Sequence, residues 1–340
     1  MVTIHGSFPT DREPSAQTRI RRCFVAPLSG KMSFRFAGKE IIMLQDILPH
    51  VYYNEYKDKK PKDTDVLVLQ KGSQVLLRGT SFSGSSSSSI PSPADRFELP
   101  TVAQIRSRFP QVAENAFYLF SIDNQGYFTA SDTDTVREGD GFFWQRVLAL
   151  REMQHDYHSF GGAVGWQLAS WYDLHRFCGR CGCATIHASE ERAIVCPKCG
   201  HSYYPRISPV VIIAIVDGDR ILLTRYQGAG YRRHALVAGF VEIGETLEDA
   251  VRREVMEEVG LKVKNIQYIE SQPWPFSSSL IAGFRAEVDG DPTVRLNADG
   301  KEELSEAVWT DRKDLKIEDS SVSLTWDMIR KFMERSGGFA

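Results

Sequence analysis

Residues 239 to 261 read GFVEIGETLEDAVRREVMEEVGL, a glycine-bearing turn followed by a helical pattern over Leu247 to Val259. Seven of the 17 residues from Glu242 to Glu258 are acidic, and their order matters more than their number. At about 100° per residue, Glu254, Glu257 and Glu258 fall within an arc of roughly 100°. A solvated helix face would set its acids opposite the apolar stripe. Here Leu247, Ala250 and Val251 stand seven residues before Glu254, Glu257 and Glu258, nearly two whole turns, so one stripe begins apolar and ends as three carboxylates. The acids are expected to face inward, toward a cleft, where they would repel one another unless hard cations such as Mg²⁺ or Mn²⁺ sat among them. Arg252 and Arg253 are expected to point away from this patch, with Arg253 pairing Glu245 to hold the preceding turn. Gly239 and Gly244 in that turn allow close backbone approach to a metal or a phosphate, so a phosphate-bearing substrate is expected.

The stretch belongs to a chain of 340 residues, a length for two domains and a small third module. The net charge of −3 and the 42% hydrophobic content exclude wholesale disorder and a polybasic nucleic-acid coat. The longest apolar run, around residues 207 to 216, is far shorter than the ~20 residues that cross a bilayer. No apolar signal core opens the chain, so a cytoplasmic location is expected, although Arg19, Arg21 and Arg22 leave organelle import open.

Five of the six cysteines lie between Cys178 and Cys199. Cys178-x2-Cys181 and Cys196-x2-Cys199, 14 residues apart, have the arrangement of a zinc ribbon, each pair in a knuckle whose glycine, Gly182 or Gly200, turns two thiolates toward one ion. Cys183 is expected to be a bystander. A redox dithiol would need one pair only, and disulfides are disfavoured in a reducing compartment.

Upstream, Asp65 to Leu69, Gln74 to Leu77 and Ala116 to Ile122 are strand-like, and the Ser-rich segment at about 80 to 93 is expected to be a disordered surface loop. From Gly141 to Arg176 the apolar residues recur at helical spacing. Downstream, Val210 to Val216 and Ile221 to Thr224 flank Asp217-Gly218 as a β-hairpin. Strands are expected at Ile266 to Glu270, Leu280 to Val288 and Glu306 to Thr310, and a last helix at Val322 to Met333. The fold class is α+β, with helices inserted into a mixed sheet. The expected domains are 1–172, an N-terminal α+β domain; 173–206, a zinc ribbon; and 207–340, the domain with the carboxylate helix.

Gly239, Glu245 and Arg253-Glu254-Val255-Met256-Glu257-Glu258-Val259-Gly260-Leu261 match every fixed position of the Nudix box, so the chain resembles the Nudix hydrolases. Ser271-Gln272-Pro273-Trp274-Pro275-Phe276, the upstream ribbon and Tyr204-Pro205-Arg206-Ile207-Ser208-Pro209 are similar to the NADH pyrophosphatase branch, which also contains NAD-capped RNA hydrolases. The resemblance covers roughly residues 170 to 310. It implies a Nudix fold and a homodimer with structural Zn²⁺. It also implies Mg²⁺- or Mn²⁺-dependent cleavage of the NAD(H) pyrophosphate to nicotinamide mononucleotide and AMP, with NAD-capped RNA 5′ ends as a further substrate. Glu254, Glu257, Glu258 and Glu303 would hold the metals, and Glu258 or Glu254 would be the general base. Phe240, Tyr204, Gln272, Trp274 and Ser279 would line the dinucleotide pocket.

Three departures bear on pocket shape and substrate ranking: Ser277 in place of the family's proline, Glu318-Asp319-Ser320-Ser321 in place of a Pro-Pro segment, and the Ser-rich insertion. No Gly-x-Gly-x-x-Gly or Gly-x4-Gly-Lys-Ser/Thr loop is present, so NAD is expected as substrate and not as hydride carrier. Two alternatives stand beside this. One is a Nudix hydrolase of ADP-ribose or a dinucleoside polyphosphate, against which the Ser-Gln-Pro-Trp-Pro-Phe stretch argues. The other is an inactive zinc-ribbon nucleic-acid binder, against which the complete set of box carboxylates and the net charge argue.

Overall fold

The computed structural model describes residues 35–36, 39–40, 43–79, 97–151, 153, 157–227, 234–316 and 323–334. The Ser-rich segment, Cys23, Arg19, Arg21 and Arg22, Gly228 to Arg233 and Glu318 to Ser321 lie outside the described residues. The chain forms two compact units, residues 1–40 and 41–340. In the first, β1 (Arg35–Phe36) pairs antiparallel with β2 (Lys39–Glu40).

The second unit begins with two small sheets. β3 (Tyr52–Tyr53), β8 (Phe117–Ile122), β9 (Gln125–Thr129) and β4 (Val66–Leu67) form one in that order. β10 (Phe142–Arg146), β6 (Gln74–Gly79) and β5 (Gln70–Lys71) form the other, with β7 (Phe97–Glu98) on β6. Helices α1 (Val102–Arg108) and α2 (Pro110–Glu114) cover one core, and α3 (Tyr157–Leu174) packs on β8 and β9.

The helical pattern expected from Gly141 is corrected at its start. Phe142 to Arg146 is a strand paired with Arg78 to Gln74, and a 3₁₀ turn at Val147–Arg151 precedes α3. Phe142 and Trp144 enter the core beside α1 while Phe143 packs on the core beside α3, a period of two that the neighbouring helical spacing hid. The signals for α1 were present unread: Thr101 and Gln104 form a reciprocal capping box.

The ribbon is a three-stranded sheet of β11 (Ile186–His187), β12 (Ile194–Val195) and β13 (Ser202–Tyr203). Beyond it stand β14 (Ser208–Asp217), β15 (Arg220–Tyr226), β16 (Val237–Phe240), α4 (Leu247–Val259), β17 (Val263–Trp274), β18 (Ser279–Val288), β19 (Leu304–Asp311) and α5 (Leu324–Glu334). Their sheet runs β17-β18-β14-β15-β19, with β16 also on β14, and β14 and β18 are parallel. The hairpin closes with Val216 opposite Ile221 across Asp217-Gly218.

The unbroken apolar run of β14 follows from burial on both faces. Val211, Ile213 and Ile215 meet Ala250, Val251, Val255 and Val259 of α4. Ile212, Ala214 and Val216 meet Trp326, Ile329 and Phe332 of α5. Among the described residues no helix is long and apolar enough to cross a membrane.

Candidate functional site

Thr246 caps α4 by accepting a hydrogen bond from the Asp249 N–H (3.1 Å), and Gly260 ends the helix at φ +67°. Between these ends the seven-residue offset places Ala250 and Val251 in the core and brings Glu254 and Glu258 in beside them, 9% and 5% exposed. They are the buried acids of this helix. Gly239 on β16 makes room, because a Cβ there would strike the Glu254 carboxylate.

A cavity of about 550 Å³ opens at this point. Glu254, Glu257, Glu258 and Glu303 line it, together with Phe240, Trp274 and Ser279. Four expected metal ligands and three expected substrate contacts therefore meet in one space. Two expected contacts do not. The Tyr204 hydroxyl donates to Glu191 Oε1 (3.0 Å) at the ribbon surface. Gln272 is fully buried; its Oε1 accepts from the Leu324 N–H (2.8 Å) and its Nε2 donates to Gln45 Oε1 (3.3 Å), so it anchors β17 to α5.

Arg253 does pair with Glu245, at 2.6 Å from Nε and 2.9 Å from Nη2, but it does not point away from the acids. Its Nη1 also donates to Glu254 Oε1 (2.7 Å) and Glu257 Oε2 (3.2 Å), and its Nη2 to the Phe240 carbonyl (2.8 Å). One fork thus ties the turn, the helix and β16. The sequence reading also missed Asn297, Asp299 and Lys301, which line the cavity from a loop laced to the end of α4. The N–H groups of Asn297 and Asp299 satisfy the Glu258 and Glu257 carbonyls at 2.7 and 3.1 Å. The Asn-Ala-Asp-Gly turn signal was there, but nothing local ties it to that helix.

Burial, with the charges of Glu254 and Glu303 added, pushes the Glu258 carboxyl up to about 8. Glu254 is raised as well, since burial outweighs the attraction of Arg253. Arg253 and the Glu242 N–H pull Glu245 down to about 2. Glu258 Oε2 is buried and has no hydrogen-bond partner. A buried orphan oxygen among further carboxylates is a donor set that fits a hard divalent cation.

A stability profile follows. The Glu258 pKa lies above its ordinary 4.5, so the metal-free fold holds that proton more tightly than the unfolded chain does. Stability is therefore expected to fall as pH rises from 4.5 toward 8, by up to ~1.4 kcal/mol per pH unit from this group. Glu245 works in the opposite sense and is lost only as pH falls through about 2, below this window. Thermal melts from pH 5 to 8 are expected to show the decline without Mg²⁺ and to lose it with Mg²⁺. Identical profiles in both conditions would refute the arrangement.

In the ribbon, the ligand atoms of Cys178, Cys181, Cys196 and Cys199 lie within 4.8 Å of one another. Cys178 and Cys199 Sγ are 3.7 Å apart and Cys181 and Cys196 Sγ 3.5 Å, against about 3.8 Å expected for sulfurs 2.3 Å from one tetrahedral Zn²⁺. The knuckles match: Gly182 donates to the Cys178 carbonyl (2.8 Å) and Gly200 to that of Cys196 (2.9 Å), at φ +72° and +70°. Cys183 is outside the four, and the arrangement supports a structural zinc.

The chain is similar to known proteins over the ribbon and the domain that follows it. The NUDIX domain family matches residues 206–332 and the NADH pyrophosphatase zinc ribbon domain residues 173–204. The NAD-capped RNA hydrolase NudC of Citrobacter koseri is 48% identical over 182 residues, spanning 50% of this chain and 69% of that protein. The protein of the same name from Salmonella typhi is 49% identical over 189 residues, 51% of this chain and 72% of that one. Among solved structures, a NUDIX hydrolase from Nitrosomonas europaea is 25% identical with a TM-score of 0.39, over 47% of this chain and 90% of its own.

Proposed function

Because the chain belongs to the Nudix hydrolases, in the group whose members carry an NADH pyrophosphatase zinc ribbon, we propose that it hydrolyses the pyrophosphate bond of NAD(H) to nicotinamide mononucleotide and AMP, and removes NAD caps from RNA 5′ ends. The observation that carries this is the shared cavity, which four carboxylates line together with the exposed ring of Phe240, Trp274 and the Ser279 hydroxyl. Its volume suits a small-molecule ligand.

Glu254, Glu257, Glu258 and Glu303 would hold Mg²⁺ or Mn²⁺. When bound, such ions neutralise phosphoryl oxygens and lower the pKa of the attacking water. Glu258 or Glu254 would take the proton of that water; the Glu258 Oε2, buried and without a hydrogen-bond partner among the described residues, supports Glu258. Arg253 keeps Glu254 and Glu257 at fixed separation while Glu245 balances its charge. Trp274 stands on a strand end stiffened by Pro273 and Pro275 and offers a ring for a base to stack on.

The same reading gives the division 1–172, 173–206 and 207–340. It also gives a homodimer, supported by exposed apolar side chains at Leu174, Phe177, Ile186 and Ile207 in and beside the ribbon, and a cytosolic site of action, where thiolates stay reduced.

Chromatography of products from NADH, NAD⁺ and NAD-capped RNA with Mg²⁺ or Mn²⁺ tests the activity. Nicotinamide mononucleotide with AMP, or with 5′-monophosphate RNA, is expected; turnover of ADP-ribose alone would give the substrate to the first alternative. Trp274→Ala is expected to lower kcat/KM for NADH by ~1 to 3 kcal/mol. An unchanged value would leave Trp274 a structural anchor.

A further inference from the structure

The 3₁₀ turn Val147–Arg151 belongs to the N-terminal layer: Val147 and Leu150 are part of the core around α3. From its last residue the Arg151 guanidinium carbon reaches to 4.9 Å from the centroid of the Trp274 ring. Trp274 lines the cavity; Arg151 does not. The cation thus stands over the indole ring without itself lining the cavity. Phe276 meets the same ring in a T-shaped pair, with centroids 5.1 Å apart, and itself packs on the N-terminal core. Two residues earlier on the same strand, buried Gln272 fixes the backbone through Leu324 and Gln45. The ring plane is thus held by its own strand and by a cation from sequence more than a hundred residues away.

We propose that Arg151 is a positioning residue for substrate recognition, clamping the Trp274 ring so that its open face is preset for a nucleotide base, and that the N-terminal layer is thereby part of the substrate site. The proposal rests on the reading of the cavity as a dinucleotide site. A preset ring spares the substrate the cost of ordering it, so the effect falls on binding and not on the bond-breaking step.

The test uses the full chain and steady-state kinetics with NADH. Arg151→Met keeps the length of the side chain and removes the cation; it is expected to raise KM by about 2- to 30-fold, the range of a cation–π contact, with kcat within about twofold. Arg151→Lys, which keeps the charge, is expected to stay nearer the wild type. In a Trp274→Ala background, Arg151→Met is expected to change KM no further, because the ring through which it is proposed to act is gone. A wild-type KM in Arg151→Met, or an undiminished increase in the Trp274→Ala background, would overturn the clamp while leaving NADH hydrolysis in place. Wild-type protein that fails to hydrolyse NADH would instead overturn the dinucleotide reading, and the clamp with it.

Discussion

Glu258→Gln is expected to slow NADH hydrolysis by ~10² to 10⁴-fold, the loss typical when a general base is removed, with any lost cation ligation adding to it. The fold should survive, since the amide keeps the size of the side chain and Glu258 enters no ion pair among the described residues. The same substitution has a signature that activity does not share. It removes the carboxyl pushed up to about 8, so much of the decline in metal-free stability toward pH 8 should vanish, leaving the smaller part that comes from Glu254. Glu248→Gln is the control: Glu248 is exposed in the first turn of α4 and does not line the cavity. It should hydrolyse NADH within about twofold of wild type. If Glu258→Gln also turned over like wild type, the buried carboxylates would have no part in the chemistry.

Cys196→Ser is expected to have the largest effect on structure. Cys196 is fully buried, and its Sγ is 3.5 Å from that of Cys181, so an alcohol there can neither ligate as a thiolate nor move away. Structural Zn²⁺ in small thiolate modules contributes ~10 to 16 kcal/mol of binding free energy coupled to folding. That is as much as a whole domain's stability. Metal analysis should fall from about one Zn²⁺ per chain to none, and limited proteolysis should begin to cut between Cys178 and Cys199. Stability should be lost before chemistry, because a site with four thiolates has no open position for a substrate. The ribbon is also tied to the N-terminal layer, by Arg192 to Asn54 Oδ1 (2.6 Å) and the Leu119 carbonyl, and by the Tyr56 hydroxyl to the Ala188 carbonyl (3.0 Å), and none of these residues lines the carboxylate cavity. A zinc-free variant with wild-type protease resistance would refute a structural metal.

What could be read from the sequence divides along a physical line. α4 runs over Leu247–Val259 as its pattern predicts, because its cap, its glycine stop and its apolar stripe all lie within sixteen residues of one another. The four zinc-ribbon cysteines were equally local. The misreadings are positions whose surroundings come from distant chain. Phe142 to Arg146 is a strand because β6 lies beside it. Gln272 is turned inward by Leu324 and Gln45; Arg253 is the exception, since the acids it pairs with, Glu245, Glu254 and Glu257, lie within eight residues of it. Asn297, Asp299 and Lys301 reach the cavity only because their loop closes over the end of α4. No periodicity carries such information.

The two-sided burial of β14 has a consequence for how this chain can drift in evolution. Substitutions at Ile212, Ala214 and Val216 are screened by the fit to α5, and those at Val211, Ile213 and Ile215 by the fit to α4. Neighbouring positions in one strand thus answer to different selection, one set for stability and the other for the placement of Glu254 and Glu258. A single-residue insertion in the strand would exchange the two sets at once. Length variation is therefore expected in the turns, and change within the strand by substitution.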